Sequence, residues 1–189
     1  VTGWVDIWMA RPVIFLDVDG VLHPGTYEAH KCQDLLRPQC LKELRRLVDA
    51  TDAILVLTSS WRESSGATAR LTSALQQNGM SLFGATDVSG WPGLRGRGVE
   101  ITRWLQRHGN LVQIPHWLAL DDLDLAKDGG FPAQHLIRTS TFHGLRPGDV
   151  EKAIAQLSVE SCSCSHCSHC NLRVPGDKED GRDVVHHAE

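Results

Sequence analysis

Three short polar clusters hold most of the chemistry this sequence offers. Asp17-Val18-Asp19-Gly20 sets two carboxylates at i and i+2, Thr58-Ser59-Ser60 sets three hydroxyls in a row, and Asp121-Asp122 adds two more carboxylates. Each cluster alone has an ordinary reading, because Asp-x-Asp-Gly builds many turns and Thr-Ser-Ser starts many helices. Each one, however, directly follows a run that is apolar at every position: residues 13–16, 54–57 and 117–120. Such runs read as strands buried on both faces of a parallel sheet. In an open sheet of that kind, ligands bind beyond the carboxyl ends of the strands. Two carboxylates leaving a strand at i and i+2 point the same way, so Asp17 and Asp19 are expected to face one bound group.

Acids gathered at one sheet edge repel and raise one another's pKa unless a cation lies among them. This predicts a hard divalent ion on oxygen ligands, Mg2+ before others. Asp17, Asp19, Asp121 and Asp122 form the expected metal set. With its charge offset in this way, Asp17 is the expected nucleophile on a phosphoryl group, attacking in line. Asp19 is expected to protonate the leaving oxygen and then to activate water. Phosphoryl transfer also calls for donors on the equatorial oxygens, supplied by Thr58 and nearby backbone amides, and for a fixed cation, assigned to Arg97. Gly20 allows a sharp turn and a close approach to the ligand; it joins Ser59, Ser60 and Arg62 as the expected substrate contacts.

The elements that would position these groups follow from periodicity. Behind Pro38, a residue favoured at helix starts, Leu41, Leu44, Leu47 and Val48 recur at helical spacing, and Ala67, Leu71 and Leu75 mark a second helix closed by Asn78-Gly79. Residues 84–98 read as a glycine-rich loop around Trp91-Pro92-Gly93, after which Ile101, Trp104 and Leu105 share a helical face that stops at His108-Gly109. Leu136-Ile137 reads as a fourth strand and Pro147–Leu157 as a last helix. This alternation argues for an α/β fold with a doubly wound parallel sheet over residues 12–157. A leader at 1–11, in which Met9 offers an alternative start, would precede it. A mostly disordered tail at 158–189 would follow, too poor in apolar groups to offset the entropy of ordering.

A chain of 189 residues with 41% apolar and 22% charged content suits one packed core rather than two domains. The formal charge of −4 is small, and the stretch past Leu157 holds most of it, with three basic against six acidic residues. A near-neutral body argues against broad, charge-driven binding of nucleic acid. Arg95, Arg97, Arg103, Arg107 and His108 still form one local basic cluster, whose plainer reading is a solvated helix face. No apolar run nears the roughly 18–20 residues needed to span a bilayer, and no signal-peptide pattern opens the chain, so a cytoplasmic protein away from membranes is expected. In the tail, Cys162, Cys164, His166, Cys167, His169 and Cys170 place six soft ligands within nine residues. That is enough for one Zn2+, though without the second, separated pair of a structural zinc site.

Phe15-Leu16-Asp17-Val18-Asp19-Gly20-Val21-Leu22 resembles the first motif of haloacid-dehalogenase-like (HAD) hydrolases, Ile54-Leu55-Val56-Leu57-Thr58 the second, and Leu120-Asp121-Asp122 the fourth, in matching order. More narrowly, Leu57-Thr58-Ser59-Ser60-Trp61-Arg62, Gly96-Arg97-Gly98-Val99-Glu100-Ile101 with Trp104-Leu105, and Ala119-Leu120-Asp121-Asp122 are similar to a small bacterial branch, the phosphatase-type domain of "Swiss Army knife" RNA repair proteins. The resemblance implies a Rossmann-like sheet and an aspartyl-phosphate intermediate. It also implies Mg2+ held by the Asp17 carboxylate, the Asp19 backbone carbonyl and a fourth-motif acid, with Asp121 favoured, Asp122 close behind and Asp124 able to join. The family's third motif usually supplies a lysine. No lysine lies between Lys42 and Lys127, which leaves that role to Arg97, with Arg95 as the alternative.

HAD proteins often insert a cap domain that encloses small substrates. About 38 residues separate Asp19 from Thr58, and about the same number separate Thr58 from Arg97, so neither gap holds a full cap as well as its helix. An open site favours a phosphate on something large, such as an RNA or DNA end or a protein. Trp61, Arg62, Trp91 and the basic cluster are the groups that would meet bases and backbone phosphates, their plainer role being to pack core and loops. The resulting expectation is a Mg2+-dependent phosphomonoester hydrolase. The competing one is a catalytically silent HAD-fold module that binds nucleic-acid ends or metal.

Overall fold

The computed structural model describes residues 11–23, 36–88, 94–109, 116–127 and 131–158. Met9, Trp91 and the Cys/His tract of the tail lie outside them, as does the Arg95 side chain. Among the described residues, strands and helices alternate as β1 (Val13–Leu16), α1 (Pro38–Thr51), β2 (Ile54–Leu57), α2 (Ser65–Gln77), β3 (Leu82–Ala85), α3 (Leu94–Gly109), β4 (Trp117–Asp121), β5 (Leu136–Arg138) and α4 (Pro147–Leu157). Single 3-10 turns stand at Ser60–Glu63 and Ala133–His135.

The five strands form one parallel sheet in the order β3-β2-β1-β4-β5. β1 and its neighbours β2 and β4 are central, which is why their sequences are apolar at every position: each face of each strand meets a layer of helix. On one face, Ile14, Leu16, Leu55, Leu57, Leu118 and Leu120 pack with Leu41, Leu44 and Leu47 of α1, Leu71 and Leu75 of α2, and Val150, Ala153 and Leu157 of α4. On the other, Val13, Phe15, Val56, Trp117 and Ala119 meet Ile101, Trp104 and Leu105 of α3, together with Leu125 and Phe131. Each leucine so buried contributes about 1.5–3 kcal/mol. The expected Rossmann-like doubly wound sheet is therefore present.

Two expectations need correcting, both within residues 84–98, read above as one loop. Leu82–Ala85 is a strand, and α3 starts at Leu94, so Arg97 stands in the first turn of a helix. β3 escapes a pattern reading because it is an edge strand with Gly84 in the middle, alternating half-buried and exposed, and because its register with β2 shifts between Leu55 and Val56. The start of α3 is masked by Gly96 and Gly98, poor helix formers. No helix among the described residues is long and apolar enough to cross a membrane.

Candidate active site

The register of the sheet explains why residues distant in sequence meet. Leu16 pairs with Leu57 on one side and Leu120 on the other. One step further, the Asp17 amide donates to the Leu120 carbonyl (3.0 Å) and the Thr58 amide to the Leu16 carbonyl (2.9 Å). Asp17, Thr58 and Asp121 thus stand level across three adjacent strands. Alternation of side chains puts all three on the face of Phe15, Val56 and Ala119, the face that α3 covers. From the first turn of α3, Arg97 Nη1 reaches Asp17 Oδ2 and Asp121 Oδ2, each at 2.8 Å. This is the placement expected of the fixed cation. The site lies where strand order reverses, between β1 and β4.

Among the described residues, the electrostatics follow from one cation among three acids. Asp17 and Asp121 are buried, and Asp122 is half-buried beside them. Burial pushes the Asp17 carboxyl up; the Arg97 guanidinium pulls it down, the Asp121 charge pushes it up again, and it ends at about 7. Asp121 is likewise raised by burial, against the opposing pull of Arg97 and of the Leu123 amide, which donates to its Oδ1 at 2.8 Å. Burial lowers Arg97, but Asp17 and Asp121 more than offset it and hold the guanidinium above its usual value. The cluster remains short of positive charge.

The donor set fits a divalent cation. Asp17, Asp121 and Asp122 each offer a carboxylate oxygen, all within 4.8 Å of one another. Asp17 Oδ1 is buried with no hydrogen-bond partner among the described residues, a costly state for an acceptor that a bound ion or substrate would relieve. Of the fourth-motif acids, Asp121 and Asp122 are thus both in place, while Asp124 is taken up by Arg138 at 3.1 Å. Gly20 contributes differently from the expected ligand contact. It adopts φ 74°, and a Cβ on it would lie 2.3 Å from Asp122 Cγ, so its missing side chain makes the space Asp122 occupies. The Thr139 hydroxyl fixes that turn by donating to the Gly20 carbonyl at 2.8 Å.

Asp19 departs from the expected side-by-side arrangement with Asp17. Beyond Asp17 the chain leaves strand geometry, and the Val18 carbonyl accepts from the amides of Leu22 (2.8 Å) and His23 (2.9 Å), so the i, i+2 rule no longer applies. The Asp19 carboxylate instead accepts from Trp61 Nε1 at 3.1 Å, with His23 Nδ1 at 3.3 Å from its other oxygen. It is not among the three clustered carboxylates. Sequence reasoning offers Trp61 as a group to meet bases rather than as a partner of Asp19, and it passes over His23, although His23 follows the Asp-Gly turn closely.

The remaining expected contacts divide. Thr58 is buried, and its Oγ1 has no partner among the described residues, as a donor awaiting a ligand would. The Ser59 side chain helps hold the Asp17 carboxyl down by hydrogen bonding, and its Oγ also accepts from the Trp61 amide (3.4 Å) to cap the 3-10 turn, whereas Ser60 is exposed. Arg62 is turned inward: its Nη1 donates to the Ser59 carbonyl (2.7 Å) and its Nη2 to Glu100 of α3 (2.6 Å), in a pair whose side chains are 9% and 7% exposed. Glu100 is the site-proximal residue that sequence reasoning passed over. The basic cluster does not act as one patch, because Arg97 points into the site, Arg107 pairs with Asp87 and His108 stacks on Trp104, leaving Arg103 exposed. Trp104 and Trp117 are core residues.

Searches of curated proteins and of solved structures each found no match. The family model described as the HAD domain in Swiss Army Knife RNA repair proteins matches residues 13–150. That stretch opens on the first residue of β1 and includes Asp17, Asp19, Thr58, Trp61, Arg97, Glu100, Asp121 and Asp122. On the strength of that match, this chain belongs to the family of HAD domains found in Swiss Army Knife RNA repair proteins.

Proposed function

We propose that this domain is a Mg2+-dependent phosphomonoester hydrolase that works through an aspartyl-phosphate on Asp17. The observation that carries the reading is the setting of Asp17: level with Thr58 and Asp121, 2.8 Å from Arg97, clustered with two further acids, and with Oδ1 unpartnered among the described residues. Asp17, Asp121 and Asp122 are the carboxylates that would hold Mg2+, with the Asp19 carbonyl as the family resemblance implies. Bound there, the ion would offset the charge of the acids and of the phosphoryl oxygens.

The residues then divide the work. Asp17 Oδ1 attacks phosphorus, and the bond to the leaving oxygen breaks as Asp19 gives that oxygen a proton. Thr58 Oγ1 and Arg97 hold the equatorial oxygens. In the second half, Asp19 takes a proton from water as the water attacks phosphorus, the Asp17–phosphorus link breaks and inorganic phosphate leaves. With no cap domain among the described residues, the site suits a phosphate carried on a large molecule, and a nucleic-acid end is the substrate we favour.

The test is Mg2+-dependent phosphate release from an aryl phosphate and from RNA and DNA oligonucleotides phosphorylated at the 3′ or 5′ end, with Asp17→Asn as control. Turnover that needs the metal and disappears in Asp17→Asn supports the mechanism. Folded wild-type protein inert on every substrate would instead favour a silent module that binds such ends.

A further inference from the structure

Asp19 must be held apart from the clustered acids if its carboxylate is to face the leaving group. It lies two residues from Asp17, close to a site with room for a cation, and a free carboxylate there would be drawn in as one more ligand. The structure holds it elsewhere, with the indole of Trp61 donating to its Oδ2 at 3.1 Å. We infer that Trp61 is the positioning residue of Asp19: it fixes the carboxylate beside the leaving-group path and keeps it from joining the metal-binding acids. This rests on the reading of Asp19 as proton donor and acceptor given above.

Three features make the indole suited to the task. First, it is rigidly mounted. Its residue sits in the 3-10 turn Ser60–Glu63, its amide donates to Ser59 Oγ, and its carbonyl accepts from Thr68 Oγ1 (3.0 Å) and the Ser64 amide (3.2 Å). Its ring packs against the core beneath α1 and α2. Second, the turn is tied on both sides. Arg62 binds it to Glu100 on α3, the helix of Arg97, and Thr58 lies just upstream, so one short segment sets the spacing among Asp19, the equatorial donor and the fixed cation. Third, an indole N–H is neutral and donates only. It orients Asp19 through one directional bond to one oxygen and leaves the other oxygen to the substrate side. Oδ2 is the accepting oxygen, and Oδ1 lies 3.3 Å from His23 Nδ1.

A positioning role predicts an uneven loss that general damage to the fold would not produce. Trp61→Phe keeps an aromatic ring and removes the donor. It is compared with wild type in the full chain at saturating Mg2+ on 4-nitrophenyl phosphate, whose leaving group needs little protonation, and on phenyl phosphate, whose leaving group needs more. The value read is kcat/KM, which reports the steps up to phosphorylation of Asp17. The expected result is a fall of about 10–100-fold on phenyl phosphate, part of what a general acid contributes, with a change of less than about 3-fold on 4-nitrophenyl phosphate. In an Asp19→Asn background the same substitution should have no further effect. Equal losses on both substrates, no loss on either, or a full additional loss in Asp19→Asn would overturn the inference. Should Trp61→Phe fail to fold, replacing the indole by its benzothiophene isostere, which has nearly the same shape and no N–H, gives the same comparison. Wild-type protein that cleaves neither substrate nor any phosphorylated oligonucleotide would defeat the proposed hydrolase instead, whereas turnover with an even response to Trp61→Phe defeats only the role of Trp61.

Discussion

Arg97→Met removes the cation that stands 2.8 Å from both Asp17 and Asp121 and keeps much of the side chain's bulk. Its effect should depend on pH. In the wild type, Asp17 has a folded-state pKa of about 7 against 3.8 for the free group, so the folded protein holds that proton more tightly than the unfolded chain does. Stability from this group is therefore greatest below about pH 4 and falls as pH rises towards 7, by up to about 1.4 kcal/mol per unit. Losing Arg97 takes away the main force pulling the value down and extends the fall to higher pH. At pH 5 the acid is largely protonated, and the variant forfeits mainly hydrogen bonds, about 1–2 kcal/mol. At pH 8 it carries buried, uncompensated charge, and the deficit should reach about 3–5 kcal/mol. Urea unfolding in EDTA, run on both proteins at both pH values, measures it, and subtracting wild type from variant cancels the titrating groups they share. A deficit equal at pH 5 and pH 8, or smaller at pH 8, would refute the view that Arg97 carries the charge of these acids.

Other outcomes follow from the same geometry. Mg2+ engages ionised carboxylates, so it should raise the melting temperature more at pH 8 than at pH 5, worth about 2.7 kcal/mol at a hundred times its dissociation constant, and EDTA should reverse it; equal stabilisation at both pH values would argue against the three-carboxylate site. Gly20→Ala should cost about 1–2 kcal/mol for its left-handed backbone in urea unfolding. Because its Cβ takes the place of Asp122, calorimetric titration with Mg2+ should also show at least about tenfold weaker binding, on the order of 1.4 kcal/mol, and unchanged affinity would count against Asp122 as a ligand. Glu100→Gln leaves Arg62 charged and buried, which should destabilise by about 3–5 kcal/mol. Adding Arg62→Met should recover part of that loss, and a double variant no more stable than the single one would show the two side chains uncoupled.

What could be read from the sequence tracks how local the physical signal is. β1, β2 and β4 are legible because full burial forces apolar residues at every position, and Asp17, Thr58 and Asp121 are legible because each stands near the end of such a run. β3 lies on an edge, where half its surface is free of that demand, and a glycine and a register shift blur the rest. The contacts of Asp19 are harder still. Its bond to Trp61 spans 42 positions and depends on the chain turning at Val18, so strand periodicity pointed the carboxylate towards Asp17 when the fold sends it away. Arg62 shows a related limit: an arginine after a phosphate-binding motif invites a substrate role, and only the tertiary structure reveals its pairing with Glu100.

The level row of Asp17, Thr58 and Asp121 also limits how this protein can change over time. Deleting one residue within Trp117–Asp121 would leave a strand still apolar enough to pack, yet Asp121 would swing to the opposite face, among the leucines beneath α1, α2 and α4. A deletion in β2 would do the same to Thr58. Loops at the mouth are free to lengthen and shorten, but the three central strands are not, so descent in this lineage is expected to record substitutions within them and insertions or deletions only beyond their ends.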